Sequence, residues 1–436
     1  MSRVNFLTCK WLLRLCLGCV LVVTCSNVYP DASSKQMQKE IEKLKKDLKK
    51  LKKKVNKQET KTNKDYKKLP KVHGLFQQDV DVFDGAYNAS GEGEQIHDTF
   101  LRRLRVGIGD KHKDWKYYVL LDFSNDEDFQ SELIMARLRY SGFKNGPNID
   151  IGKIREDISL EALSSSSSIN TISRSMMANV MSPYFNWGVG INQYIKPTGL
   201  RYALGAYKGR GFGSTGNEKD SDKMVTAYTS RFTWAPLSKN GQYLHFGVWN
   251  SHREYDDGMR MYLRDRAEVR DTNVRLVDYA AGGSRFEINK LVQTGYEIAA
   301  GIGPVYMQAE YAERDVTAVD PINDNVYEGG YVGLGYFLTG EKASYKPNSA
   351  IVTAPKPKSK YGAWEVLLRA SEFDATSETQ GTKVTANTIG ANYHYSKKLK
   401  FMLNYIESEV EGPGAEELIG EYDDGSAYTF RVQYSF

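Results

Sequence analysis

Past residue 25 the chain has no cysteine; Cys9, Cys16, Cys19 and Cys25 are the whole set. The remainder therefore needs no disulfide chemistry outside the cytoplasm, so the count is compatible with export without requiring it. Long apolar runs are missing too. A membrane-spanning helix needs about 20 consecutive apolar residues, and none exists beyond residue 25, while mean hydropathy is −0.53. A bundle of transmembrane helices is excluded. Histidine is scarce, with 6 in all. Only His245 and His394 fall in strand-like stretches, and neither has an evident serine partner for a nucleophilic triad. No metal-ligand spacing occurs, and GVGIN (188–192) and GRGFG (209–213) read as strand and turn glycines rather than phosphate loops. The expectation is no enzyme, no metal, no cofactor and no nucleic-acid partner.

Aromatics and glycine are abundant instead: 29 Tyr, 17 Phe, 6 Trp and 38 Gly in 436 residues. That mixture suits short amphipathic strands with aromatic ends. The amino end reads as an export signal over 1–25, with Arg3, Lys10 and Arg14 ahead of the apolar LCLGCVLVV. Cleavage is expected near residues 25–27, and Cys25 after VVT is an imperfect lipidation signal.

Residues 35–68 form a separate object. Met37, Ile41, Leu44, Leu48, Leu51 and Val55 are spaced 4, 3, 4, 3, 4, the seam of a short coiled coil. So short a helix is marginal alone, which points to an oligomer. The segment holds 15 Lys against 5 acids. It is either a solvated helix or a periplasmic trimerisation stalk able to touch an anionic polymer such as peptidoglycan. Residues 1–68 take 18 of the 59 basic and 6 of the 54 acidic residues, leaving 41 and 48 for 69–436, a net −7. The main domain is mildly acidic.

From residue 72 to 436 the dominant period is two. WKYYVLLDF (115–123) sets Trp115, Tyr117, Val119, Leu121 and Phe123 against Lys116, Tyr118 and Asp122. LRRLRVGIG (101–109) alternates Leu104, Val106 and Ile108 with Arg103 and Arg105, and ELIMARLRY (132–140) places Arg137 and Arg139 opposite Ile134, Ala136, Leu138 and Tyr140. The closing AYTFRVQYSF (427–436) repeats the theme. A soluble sandwich would bury one face and wet the other. Here the apolar faces end in aromatics, like girdles at two lipid interfaces, and the other faces carry charges and glycines. Connections alternate between short and long, with one exception: 340–360 is a long Pro- and Lys-rich turn on the short side. With 253–290 taken as one loop the count is sixteen strands. The expected fold is all-β: a 16-stranded antiparallel transmembrane β-barrel behind a short coiled-coil helix, integral in the bacterial outer membrane.

A barrel of that size encloses water, so function depends on what narrows it. The inward candidate is 155–184, beginning Arg155, Glu156, Asp157, running through the serines Ser164, Ser165, Ser166 and on to 168, and returning with Arg174. Hydroxyls and mixed charges suit a polar constriction. Ile158, Leu160 and Leu163 favour a packed loop over a disordered one. Arg103, Arg105, Arg137 and Arg139 occupy the lumen phase, offering permanently charged planar donors to oxyanions. Asp122 and the following Asp126, Glu127 and Asp128 are available to cancel them, in which case the arginines only order the wall.

Several segments resemble the phosphate-selective porins O and P: FLRRLRVGIGDKHKDWKYYVLLDF (100–123), PNIDIGKIREDISLEALSSSSSINTISRS (147–175), GPVYMQAEY (303–311), FLTGEKASYKP (337–347), GAWEVLLRAS (362–371) and YTFRVQYSF (428–436). The run through 147–175 is the most specific. The resemblance implies a trimeric sixteen-stranded channel, sometimes behind a coiled coil, with an arginine ladder leading to a lysine-rich constriction. On it, Arg102 and Arg103 match the family's paired arginines and Arg174 the basic residue of the third loop. Arg253, Arg260, Arg264, Arg266, Arg270, Arg275 and Arg285 would be further rungs. The expected function is passive diffusion of small hydrophilic solutes through a homotrimeric porin that prefers small anions, phosphate or polyphosphate among them. The alternative is an envelope tether or adhesin with an unselective pore.

Overall fold

Alternation of side chains across a strand lets one ribbon show lipid one face and water the other, but only if no backbone edge is left in hydrocarbon. A computed structural model, which describes residues 39–55, 69–91, 96–124, 131–209, 225–260 and 262–436, shows how this chain meets that condition. The signal segment 1–25, the flanks 35–38 and 56–68 of the coiled-coil segment, the acids Asp126, Glu127 and Asp128, and 210–224 lie outside the described residues. The chain divides into two units, 1–69 and 70–436. In the first, 39–55 is helical with Ile41, Leu44, Leu48, Leu51 and Val55 exposed.

The second unit is a closed barrel of sixteen antiparallel strands. They are β1 (Lys71–Gly85), β2 (Ile96–His112), β3 (Trp115–Asp122), β4 (Glu132–Tyr140), β5 (Asn148–Arg155), β6 (Phe185–Ile195), β7 (Leu200–Gly209), β8 (Val225–Lys239) and β9 (Gln242–Arg260). The remainder are β12 (Glu287–Ile302), β13 (Val305–Ala318), β14 (Asn325–Phe337), β17 (Ala363–Asp374), β18 (Lys383–His394), β19 (Leu399–Glu411) and β20 (Asp424–Ser435). Two small hairpins sit in connections: β10–β11 (Arg264–Asp265, Val277–Asp278) and β15–β16 (Ser344–Lys346, Ile351–Thr353).

The barrel closes where β1 pairs with β20, from Leu75↔Ser435 to Gly85↔Gly425. Gly74 donates to the carbonyl of Phe436 at 2.9 Å and accepts from its N–H at 3.1 Å. The Phe436 ring lies over Gly74, where a Cβ would come within 1.9 Å of it. A side chain at position 74 would meet that ring, which is why a glycine faces it.

Away from register shifts at Gln77/Gln78, Leu120/Leu121, Trp234/Leu237 and Ile288/Lys290, the pleat is regular. In β17, Trp364, Val366 and Leu368 are exposed on the outside while Glu365, Arg369 and Ser371 are buried inside. Trp115 packs on Tyr140 at 4.9 Å, Trp364 on Tyr393 at 4.6 Å, and Tyr405 on Tyr428 at 4.7 Å. Both barrel ends and the short turns share one rim, periplasmic in bacterial barrels, and the long loops rise from the other.

Three expectations need correction. The stretch 253–290 is one connection, as counted, but a shorter one: β9 runs to Arg260 and β12 resumes at Glu287. His73, His97, His112 and His252 also lie in strands. The inner face is not polar throughout, because inward-facing Phe83, Leu291, Tyr327, Phe373, Val384 and Ile406 pack on loop residues.

Candidate functional site: the lumen and its constriction

Three segments fold into the lumen. The loop 156–184 carries two short helices, Leu160–Leu163 and Met176–Met181, each started by a serine (Ser159, Ser175) whose hydroxyl accepts an N–H of the first turn. The wall from β7 round to β1 grips it. Asp157 lies between Arg201 at 2.5 Å and Arg231 at 3.1 Å. Burial alone would raise its carboxyl, but the two guanidiniums win and hold it at about 2. Arg253 pairs with Glu156 at 2.5 Å, and Glu310 accepts the N–H groups of Leu160 and Glu161 at 2.8 and 2.7 Å. Further along, loop carbonyls accept from wall donors: Ser166 from Gln77, Ile169 from Lys400, Asn170 from Asn392 and Ile172 from Arg431.

The second segment, 262–286, packs Leu263, Val269, Leu276 and Val277 against Met176, Met177 and Met181 in one apolar cluster. It sends Glu268 to Arg369 and to Ser371 Oγ, which donates at 2.6 Å. Burial pushes the Glu268 carboxyl up despite the guanidinium beside it. Burial also brings Arg266 down to about 9, helped by Arg270 and Arg275.

The third is the turn that looked too long for its rim. Its β15–β16 hairpin enters from the periplasmic end. Tyr345 meets His245 Nδ1 at 2.8 Å, and the carbonyls of Asn348 and Ala350 accept from Arg201 and Arg231 at 3.2 and 2.9 Å. Ser164 Oγ donates to Val352 at 3.4 Å, joining hairpin to loop.

Together these fill the lumen along the wall from β7 to β20. Arg231, Arg253, Arg314, Arg369 and Arg431 there are at most 5% exposed; they brace loops. Water reaches the opposite arc, β2 to β5. There the side chains of Arg105, Arg137 and Arg139 are 19%, 31% and 26% exposed, and on the loop Ser165 is exposed, its hydroxyl 2.9 Å from that of Ser167.

The expected site residues thus separate. Arg105 pairs with Asp122 at 2.6 Å and reaches Ser166 Oγ at 3.3 Å, so its charge is cancelled as the sequence allowed. Arg139 and Arg137 share Asp150 at 2.5 and 3.8 Å, one carboxylate for two cations. Arg103 is buried and donates to Gln77 at 2.8 Å. Arg174, also buried, bonds the carbonyls of Glu161 and Ser164. Arg155 donates to the Leu163 carbonyl at 3.1 Å and stacks 5.2 Å from the Phe185 ring. Among the described residues no carboxylate pairs with Arg103, Arg155 or Arg174. Glu156, Ser164 and Ser166 are buried and belong to the loop's scaffold rather than its water-facing edge.

Strict alternation would turn Arg102 outward. A bulge intervenes: Gln77 pairs with Arg103 and Gln78 with Leu101, leaving Arg102 the extra residue. It lies in the field of Arg270, Arg431 and Asp79, all inside. Of the proposed further rungs, Arg253 is a wall brace, while Arg264 and Arg285 stack on Tyr262 at 5.5 and 4.6 Å. Reading the sequence missed the braces Arg201, Arg231, Arg314, Arg369 and Arg431. The same period-two phase marks them in RYALG, SRFTW, ERDV, LLRAS and FRVQY.

A sealed sheet, apolar outside, with a charged lumen narrowed by inward loops, defines a porin of the outer membrane. The family model for "Phosphate-selective porin O and P" matches residues 71–436, and the chain belongs to that family. Porin O of Pseudomonas aeruginosa is 27% identical over 401 residues, covering 84% of this chain and 88% of that protein. Among solved structures, the anion-selective porin from Comamonas acidovorans superposes with TM-score 0.53 at 10% identity, covering 84% of this chain and 99% of that one. The outer membrane channel DcaP of Acinetobacter baumannii gives 0.53 at 13% identity, covering 84% and 97%. At such identities these two bear on the fold alone.

Proposed function

We propose that this porin prefers anions, with phosphate or polyphosphate among the solutes it passes, and that it works as a trimer. The observation that carries the selectivity reading is the surplus of guanidinium along the water-reached arc. Arg137 and Arg139 have one carboxylate between them, and Arg103, Arg155 and Arg174 stand nearby with none among the described residues. A unit charge about 4 Å from an ion in bulk-like water is worth about 1 kcal/mol, so two or three surplus charges give about ten- to a hundredfold preference. The net acidity is a sum over all of 69–436, which neutral braces such as Glu297–Arg231 and Asp79–Arg431 leave unchanged; a passing ion responds to the nearby charges of the arc, where two cations share one carboxylate.

The trimer reading is supported by the uncovered apolar seam of helix 39–55, 48% to 67% exposed from Ile41 to Val55, which needs partner helices. The lysines on its other faces suit peptidoglycan, and this keeps the tether as a second role. The test is a reversal potential across a planar bilayer bathed by unequal KCl concentrations, followed by phosphate block of the chloride current. Chloride preference with block supports the reading, and potassium preference refutes it. Loss of trimers on deleting 35–68 supports the stalk as the assembly element.

A further inference from the structure

The periplasmic rim carries a charge pattern that conduction does not use. All but one of its turns present an exposed lysine: Lys113, Lys144, Lys196, Lys239, Lys360 and Lys398 mark six of the seven turns, and the turn at 303–304 has none. Among the described residues none of the six is in an ion pair. The acids on this rim are few: Asp110, Asp114 and Glu341, the last buried and occupied by Thr339 and the Lys358 N–H. Neighbouring turns are two strands apart, about 10 Å along the sheet. That is close to the screening length of about 8 Å at physiological salt, so their fields merge into a positive ring. The other rim is the reverse: on the outer face Glu313 stands opposite Glu328, and Glu328 opposite Asp374.

The level of the ring in the membrane identifies its partner. Lys113 is two residues from the girdle Trp115, Lys144 follows the exposed Phe143, and the Lys360 ammonium sits 4.8 Å from the Tyr361 ring centroid. Exposed rim aromatics mark the boundary between acyl chains and headgroups, and lysines beside them extend their ammonium groups into the headgroup layer. Peptidoglycan lies farther out. We propose that the periplasmic rim is a docking ring for anionic phospholipid headgroups of the inner leaflet, holding a negatively charged lipid annulus around the barrel.

The test uses the full chain in bilayers and the fluorescence of the lipid-facing Trp115, Trp234 and Trp364. Quenching by brominated phosphatidylglycerol is compared with quenching by brominated phosphatidylcholine. The expected result is about fivefold tighter association of the anionic lipid, weakening as KCl is raised. In a variant with Lys113, Lys144, Lys196, Lys239, Lys360 and Lys398 all changed to Gln, the ratio falls towards one, with KCl conductance kept. Equal quenching by both lipids overturns the proposal, as does a preference that ignores salt or survives in the variant. Should the variant instead keep its lipid preference and lose sedimentation with peptidoglycan, the ring belongs to the cell wall. The salt dependence of the unmodified protein decides the matter if the variant does not fold.

Discussion

Two substitutions on the water-reached arc should move selectivity in opposite directions. Arg137 and Arg139 share Asp150, whereas Arg105 has Asp122 to itself. The first cluster holds a surplus positive charge and the second is neutral. Arg137→Gln removes the surplus, and Asp122→Asn creates one by leaving Arg105 unmatched. The fold should survive the second change, since an amide oxygen can still accept the Leu104 and Ser124 N–H groups that Asp122 takes at 3.3 and 3.2 Å. With Arg137 and Arg105 31% and 19% exposed, water screens both. At about 4 Å each unit charge is then worth about 1 kcal/mol, about fivefold in the chloride-to-potassium permeability ratio. Reversal potentials in a KCl gradient across a planar bilayer should fall for Arg137→Gln and rise for Asp122→Asn. If both variants match the parent, or both shift the same way, the surplus-charge reasoning is wrong.

Acid should loosen the inward loop late. Asp157 titrates at about 2, below its ordinary 3.8, so the stability from its pairs with Arg201 and Arg231 is complete above pH ~4 and lost as pH falls through about 2. Thermal unfolding of the parent should therefore steepen in that window, and Asp157→Asn should abolish the step. Gly74→Ala puts a methyl into the Phe436 ring and should cost about 1–3 kcal/mol, read as a lower temperature for loss of the heat-modifiable folded band; an unchanged temperature would show that the ring is free to move. Replacing the 344–353 hairpin by a short Gly/Ser link removes the periplasmic obstruction, and single-channel conductance should rise. Unchanged conductance would mean that the hairpin fills space the current never used.

Much of this was legible beforehand. Strand periodicity is local, set by which side chains alternate, so sixteen strands and a lipid-facing set such as Trp364, Val366 and Leu368 follow from order alone. Even the anomalous turn 340–360 announced itself by length. The bulge at Arg102 did not, because it depends on which residue of β1 stands opposite. Nor did the apolar stretch of the inner wall, since Phe373 and Val384 face inward only where 262–286 and the loop methionines cover them.

The order of residues settled that arginines would line the inside, because alternation fixes the face of every strand residue. Tertiary structure alone decided their separate fates. Arg231 and Arg431 meet carboxylates and loop carbonyls brought from distant parts of the chain, and become dry braces. Arg137, to which no described loop residue is hydrogen-bonded, keeps 31% of its side chain in water, where a charge acts on a passing ion rather than on the protein.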